Sequence, residues 1–176
     1  NARILTVEAK GDEKFLRRKT TDVDVKKFDR RELQSFVRKM RATMKRANGV
    51  GLSANQIGLP HRLFVAQVPD NQGRQKFYAI VNPKLEKFSK ETETLEEGCL
   101  SVPNAYGLTE RHYRVTLTGL DQNGRTLKIK AWGLLARVFQ HEVDHLDGKL
   151  FTDRTEELYQ VPASERLKRR AEESKS

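Results

Sequence analysis

Residues 140–145 read Gln-His-Glu-Val-Asp-His and contain the pattern H-E-x-x-H. On a helix, residues four apart lie on one face, so the imidazoles of His141 and His145 can reach the same cation. Glu142 follows the first of them and is placed to exchange a proton with water on that cation. Apolar neighbours predict that this helix is buried, where imidazoles need partners. The pattern therefore predicts a metal site.

A hydrolytic metal site with two histidines usually has a third protein ligand. The extended metzincin pattern requires a histidine at position 151, where this chain has Phe151. A second class of zinc endopeptidase uses a downstream glutamate, and Glu165 lies twenty residues after His145. Cys99, the only cysteine, is the third candidate, because a thiolate binds soft and borderline cations strongly.

Cys99 lies in the stretch Glu-Glu-Gly-Cys-Leu-Ser-Val-Pro at 96–103. It has three interpretations: a metal ligand, a buried apolar thiol or a catalytic nucleophile. A nucleophile needs a free histidine as its base, and only His61 and His112 remain outside the H-E-x-x-H pattern. A plain core thiol needs no glycine beside it. The metal ligand is the favoured interpretation.

Two helices and several strands are predicted to position these groups. Residues 29–47 have a helical apolar period, with Asp29 as the N-cap and a second face of Lys and Arg. A glycine-rich turn follows at 48–60. Strands are predicted at 61–68 and 76–88, and residues 113–132 predict a hairpin around Asp-Gln-Asn-Gly. A second, buried helix carries H-E-x-x-H and ends at Gly148.

This order of elements predicts an α+β fold. Small antiparallel or mixed sheets pack around a central buried H-E-x-x-H helix, with a basic helix before them and a charged helix after them. Residues 1–176 are predicted to form a single catalytic domain. Residues 1–28 are expected to be an irregular N-terminal segment, and residues 153–176 a charged C-terminal tail.

The composition fits a protein with a folded core and a polyanionic partner. Of 176 residues, 36% are hydrophobic and 33% are charged, and the net charge is +10. Residues 1–48 contain fifteen Lys and Arg against seven Asp and Glu. Such an excess is either a solvated basic face or a surface for a phosphate-rich partner such as ribosomal RNA.

Cysteine content and hydropathy bear on the compartment. One cysteine excludes an internal disulfide and suits a reducing compartment. No apolar run approaches the roughly 18 residues that span a bilayer. No signal peptide is visible, and a leader could already have been removed, because residue 1 is Asn. The expected location is a bacterial cytoplasm, or an organelle matrix or stroma if a transit peptide has been removed.

Three stretches together resemble the signature motifs of peptide deformylases: GVGLSANQIG at 49–58, EEGCLSVP at 96–103 and QHEVDH at 140–145. The resemblance extends from about residue 29 to residue 152. It implies removal of the formyl group from N-formyl-methionyl nascent peptides. It also implies one divalent metal ion, natively Fe²⁺ and replaceable by Zn²⁺, Ni²⁺ or Co²⁺.

The resemblance assigns roles residue by residue. The metal ligands are Cys99, His141 and His145, and a metal-bound hydroxide attacks the formyl carbon. Glu142 is the general acid and base. The Gln56 side-chain amide and the Leu100 backbone N–H donate to the oxyanion.

The resemblance also implies where the peptide binds. Gly51 allows the close approach of an extended peptide. Four residues line the methionine pocket in relatives: Val50, Leu95, Leu134 and Val138. Tyr106 stands where many bacterial members have an arginine that helps to hold the substrate. Ser53 and Asn55 differ from the commonest form, GLAAPQ, and we expect no consequence from either.

Partners follow from charge and from the resemblance. The ribosome is the expected docking partner, through the basic helix or the C-terminal tail; neither DNA nor a membrane is expected. The alternative from another class is an RNA- or ribosome-binding module with a structural metal. Such a site is closed by a fourth protein ligand, for which the sequence offers no clear candidate.

Overall fold

The computed structural model describes residues 2–160 together with Glu165 and Lys168. The helices are α1 (Lys10–Leu16), α2 (Arg30–Arg46) and α3 (Gly133–Leu146). The strands are β1 (Gly51–Ser53), β2 (Leu63–Pro69), β3 (Gln75–Glu86), β4 (Thr92–Cys99), β5 (Val102–His112), β6 (Arg114–Leu120), β7 (Thr126–Trp132) and β8 (Leu158–Gln160). Short 3₁₀ turns cover Ala54–Ile57 and Phe151–Asp153.

The strands form two antiparallel sheets. The larger has the order β1-β2-β3-β6-β7, and the smaller has the order β4-β5-β8. With these sheets and three helices, the chain has the predicted α+β class, and α3 is the buried central helix that carries the H-E-x-x-H residues.

The larger sheet separates two apolar layers because strand residues alternate between its faces. On β2, Phe64 and Ala66 pack with Phe139 of α3. Leu63 and Val65 point the other way and pack with Met40 of α2. The sheet is therefore sandwiched between the two longer helices.

The predicted helix ends are confirmed. The Asp29 carboxylate accepts a hydrogen bond from the Arg31 N–H at 2.9 Å, which caps α2. Gly148 follows α3 with a φ of +78°. A Cβ there would lie 2.4 Å from the Arg17 carbonyl oxygen, so glycine is required both by the dihedral and by the close approach of another chain segment.

The structure differs from the sequence predictions at three places. The segment at 1–28 contains α1, so the expectation of an irregular segment was wrong there. This helix has seven residues and buries only Leu16, too short a pattern to show a helical period. β4 and β5 were not identified as strands, because β4 consists largely of acids and threonines. The tail contains β8.

The predicted C-terminal charged helix lies outside the described residues, apart from Glu165 and Lys168. The assignment of residues 1–176 to one domain stays a prediction. Within the described part of the chain, no helix has the length and apolarity required to cross a bilayer.

Candidate active site and metal centre

Three candidate ligands from two distant parts of the chain converge. Cys99 ends β4, while His141 and His145 lie one turn apart on α3. The Cys99 Sγ is 3.1 Å from the His145 Nε2, which is 3.2 Å from the His141 Nε2. All three ligand atoms lie within 4.8 Å of one another. Atoms bonded to one tetrahedral ion at about 2.0–2.3 Å are about 3–4 Å apart, so this donor set fits a divalent metal.

The electrostatics favour the ligating form of the sulfur. Burial raises the pKa of the Cys99 thiol, but the charge of His145 and hydrogen bonds from both imidazoles outweigh burial and hold that pKa well below its usual value. Burial lowers the pKa of His141, yet its hydrogen bonds to Cys99 and Glu97 raise it well above its usual value. A bound cation would replace the protons that neutralise the thiolate.

A buried carboxylate orients His141 from behind. The His141 Nδ1 donates to the Glu97 Oε1 at 2.9 Å, which directs the Nε2 toward Cys99 and His145. Arg111 donates to both Glu97 oxygens at 2.9 and 3.0 Å, and Arg137 donates to the Oε2 at 2.5 Å. Burial alone would raise the pKa of Glu97, but the bonds from His141 and Arg111 hold it well below its usual value. Glu97 is therefore a charged support for a candidate metal ligand.

A second buried carboxylate extends this network. The Arg111 Nη1 donates to the Asp144 Oδ2 at 2.6 Å, and the Arg154 guanidinium donates to both oxygens of Asp144. The network links β4, β5, α3 and the segment after the second 3₁₀ turn. Sequence reasoning missed all of these residues. The available signals were the acid two residues before Cys99 and the arginine four residues before His141.

Glu142 lies beside the ligands but outside the ligand cluster. Its buried carboxylate accepts a hydrogen bond from the Ser53 Oγ at 2.9 Å. A Cβ on Gly51 would lie 2.6 Å from the Glu142 Oε2, so only glycine leaves room for this carboxylate. Burial raises the pKa of Glu142 above its usual value, which suits a group that takes up and releases a proton.

The amide of Gln56 has a fixed orientation. Its Oε1 accepts from the Ser53 N–H at 2.9 Å, so its Nε2 is directed to the other side. The Nε2 donates to the Ser101 Oγ at 2.9 Å and is 3.7 Å from the Cys99 Sγ. Its N–H groups therefore point at the ligand cluster.

A cavity of about 230 Å³ opens beside the ligand cluster. All the residues predicted to contact substrate line it: Val50, Gly51, Leu95, Tyr106, Leu134 and Val138. Gln56, Cys99, Leu100, His141 and Glu142 line it as well. His145 is fully buried behind them. An apolar pocket thus meets the polar groups that could do chemistry.

Four lining residues were not predicted to face the cavity: Glu96, Glu97, Gly98 and Arg137. Arg137 lines the wall, and its guanidinium is bound to Glu97. A Cβ on Gly98 would lie 2.4 Å from the Tyr106 ring, so that ring packs directly on the glycine backbone. Tyr106 is buried, and it does not project into solvent as a long arginine would.

The choice between Cys99 and Glu165 as third ligand is directly testable. The side chain of Glu165 is exposed and is not part of the ligand cluster. We expect Cys99→Ser to release the metal, whereas Glu165→Ala should retain it. Loss of a group that supports a ligand weakens metal binding about 10–100-fold, so loss of a ligand should cost more. Metal analysis of both purified variants checks this, and metal loss only from Glu165→Ala would favour the endopeptidase.

Comparisons with known proteins identify the family of this chain. The model of the polypeptide deformylase family matches residues 3–161. Peptide deformylase 2 of Gloeobacter violaceus is 44% identical over 126 residues, which are 71% of this chain and 67% of that protein. Chloroplastic peptide deformylase 1A of Solanum lycopersicum is 36% identical over 159 residues, covering 82% of this chain and 57% of that protein.

A solved structure gives the same result for the fold. The crystal structure of peptide deformylase from Thermotoga maritima superposes with a TM-score of 0.79 at 35% identity, covering 89% of this chain and 98% of that one. The residues matched by the family model include the candidate ligands, Glu142 and the residues that line the cavity. This chain therefore belongs to the polypeptide deformylase family.

Proposed function

We propose that this chain removes the formyl group from the N-terminal formyl-methionine of newly made proteins. Membership of the family and the likeness to solved deformylases support this activity. The observation that carries the proposal is the meeting of three metal-binding side chains, Glu142 and an apolar cavity at one point. That arrangement suits hydrolysis of an amide next to an apolar side chain.

The cofactor that we propose is one divalent metal ion held by Cys99, His141 and His145. A thiolate with two imidazoles suits soft and borderline cations. Fe²⁺ is proposed as the native ion because of the family resemblance, with Zn²⁺, Ni²⁺ or Co²⁺ as replacements. When bound, the ion would act as a Lewis acid and lower the pKa of a water molecule toward neutrality.

The residues of this chain handle the substrate and the proton. The methionine side chain enters the cavity between Val50, Leu95 and Val138, and the peptide lies along Gly51. Glu142 takes a proton from the attacking water and passes it to the departing amine. Water adds to the formyl carbon and the C–N bond breaks, so the products are formate and a free N-terminal amine.

The oxyanion formed at the formyl carbon needs fixed donors. We assign these to the Gln56 Nε2–H, aimed at the ligand cluster by Ser53, and to the backbone N–H of Leu100. Both residues line the cavity. Such donors act in a buried site without having to reorganise as charge develops.

Gln56→Ala is expected to lower kcat by about 10²–10³-fold, because one oxyanion donor is worth that much in comparable sites. Bound metal should remain, since Gln56 is not in the ligand cluster. Steady-state kinetics with metal analysis measure both quantities. Gln34→Ala is the control: Gln34 is a glutamine of α2 that bonds Asn123. An unchanged kcat for Gln56→Ala would show that Gln56 takes no part in the mechanism.

The function itself is tested by an anaerobic assay of the metal-loaded protein on a formyl-methionyl dipeptide. We expect release of formate and of a free amine, with no cleavage of internal peptide bonds. Failure to release formate from protein that contains its metal would overturn the proposal. Internal cleavage would favour the zinc endopeptidase.

We propose the ribosome as a docking partner, through α2. This helix carries seven Lys and Arg and one acid, and all seven basic side chains are exposed. Within the described residues, none of the seven lies within 4 Å of a carboxylate oxygen. The helix ends at Arg46, just before Gly49–Gly51 of the cavity wall. RNA bound at the C-terminal end of α2 would lie close to the substrate site.

Co-sedimentation with ribosomes checks this surface. Changing Arg31, Arg38 and Lys45 to glutamine should weaken pelleting and reduce the salt dependence of binding by about one unit of slope per lost phosphate contact. Three exposed lysines elsewhere, Lys128, Lys130 and Lys149, changed in the same way, are the control. If deletion of residues 161–176 abolishes pelleting while the α2 variant pellets normally, the tail is the contact.

The cellular location that we propose is a compartment where formylated chains are made. That compartment is a bacterial cytoplasm or the interior of an organelle. The relatives support both, since one comes from Gloeobacter violaceus and another is a chloroplastic protein of Solanum lycopersicum.

A further inference from the structure

Strand β1 directs two residues at the carboxylate of Glu142. Because side chains alternate along a strand, Gly51 and Ser53 share the face toward α3, while Leu52 packs in the apolar layer with α2. Gly51 makes room for the carboxylate, and Ser53 offers it a hydroxyl group. The sequence predicts no consequence from serine at position 53, whereas the structure gives its hydroxyl a hydrogen bond to the Glu142 carboxylate.

The hydroxyl of Ser53 is committed to Glu142. It lies 2.9 Å from the Glu142 Oε1 and 3.0 Å from the Glu142 carbonyl oxygen. A hydroxyl has one proton to donate, and an ionised carboxylate is the stronger acceptor. Within the described part of the chain, this is the only hydrogen bond made to the Glu142 carboxylate. Ser53 itself is fully buried, so water does not compete for the bond.

The backbone of Ser53 fixes a second group. Its N–H donates to the Gln56 Oε1 at 2.9 Å, and this bond determines which end of the Gln56 amide faces Cys99. One residue therefore contacts both the proton carrier and the oxyanion donor. Ser53 does not line the cavity, so it reaches the substrate only through those two side chains.

We propose that Ser53 is a positioning residue for deformylation: its hydroxyl holds the Glu142 carboxylate in place while its N–H orients the Gln56 amide. This inference rests on the proposed function. Without the hydroxyl, the carboxylate can rotate about its side-chain bonds and occupies the productive geometry for less of the time. The loss should appear in kcat and leave KM unchanged, because the cavity wall is intact.

The test compares Ser53→Ala and Ser53→Cys with the wild type on a formyl-methionyl dipeptide. Removing a hydrogen bond to a charged group lowers a rate constant that depends on it by about ten- to a hundredfold. We therefore expect kcat of Ser53→Ala to fall by that factor. KM and metal content should stay unchanged. Ser53→Cys keeps a weak donor and should recover part of the loss. The matched control is Thr43→Val, which removes a fully buried hydroxyl of α2 that bonds the Lys39 carbonyl; it should leave kcat unchanged.

A second measurement does not depend on activity. The apo protein is melted as wild type, Ser53→Ala, Glu142→Ala and the double variant. Ser53→Ala leaves a buried carboxylate without its donor, so it should lower the melting temperature more in the wild type than in the Glu142→Ala background. Equal shifts in both backgrounds, or a kcat of Ser53→Ala equal to that of the wild type, would overturn the inference. An inactive wild type would instead count against the proposed function.

Discussion

Replacing Glu142 with alanine is expected to leave the metal bound and to lower deformylation by about 10²–10⁴-fold, the usual contribution of a positioned general acid–base. The carboxylate lies outside the ligand cluster but lines the cavity beside His141. It is held by Ser53 and confined by the backbone of Gly51. Burial raises its pKa, so the same group can accept a proton from water and return it to the amine.

The measurement is formate release per metal ion, with metal content determined on the same samples. Glu110→Ala is the control, because Glu110 is an exposed acid on β5. Loss of metal together with activity would make Glu142 a ligand or a structural residue. Full activity with the metal in place would mean that another group carries the proton.

The parts of the site that were predictable are those with a local pattern. The spacing of His141, Glu142 and His145 indicates a metal site as soon as this one segment is helical. The apolar period of residues 133–146 correctly predicted that the helix is buried. The capping residue Asp29 and the helix-ending Gly148 are local signals of the same kind. Each of these predictions depends on residues fewer than about five apart in the chain.

The parts that were missed depend on contacts across the fold. Glu97, Arg111 and Arg137 are up to forty residues apart in the chain. In the sequence, each of them taken alone has the pattern of an ordinary surface charge. β4 was missed for the same reason, because its acids break the apolar alternation that predicts a strand. Glu97 is nevertheless buried, because Arg111 of β5 and Arg137 of α3 form ion pairs with it. Ser53 likewise meets the acceptor of its hydroxyl, Glu142, on a helix 89 residues later. Pairing over such distances has no periodic signature.

Glu97→Gln is the change expected to have the largest combined effect on stability and metal binding. The substitution keeps the size of the side chain and removes the charge that faces Arg111, Arg137 and His141. Breaking a buried ion pair by removing one partner costs about 3–5 kcal/mol of unfolding free energy. Losing the carboxylate behind a metal-binding histidine weakens metal affinity about 10–100-fold. Urea unfolding of the apo protein and competition with a chelator measure the two effects separately.

The matched control is Asp70→Asn, which removes the acid of the Arg74–Asp70 pair, whose arginine is largely exposed. Exposed pairs contribute at most about 1 kcal/mol, so this variant should unfold almost as the wild type does and bind metal normally. A Glu97 variant with the same small effect would mean that the buried network does not stabilise the fold.

The double variant Glu97→Gln with Arg137→Met separates the two roles of Glu97. Removing Arg137 takes away a buried cation that has lost its counter-charge, so part of the unfolding free energy should return. Metal affinity should stay low, because the His141 Nδ1 still lacks its carboxylate acceptor. If metal affinity returned together with stability, Glu97 would act on the metal site only by keeping β4 and α3 folded. If neither the unfolding free energy nor the metal affinity returned, the hydrogen bonds from Arg137 to the Thr109 and Glu93 carbonyl oxygens would stabilise the fold more than its pairing with Glu97 does.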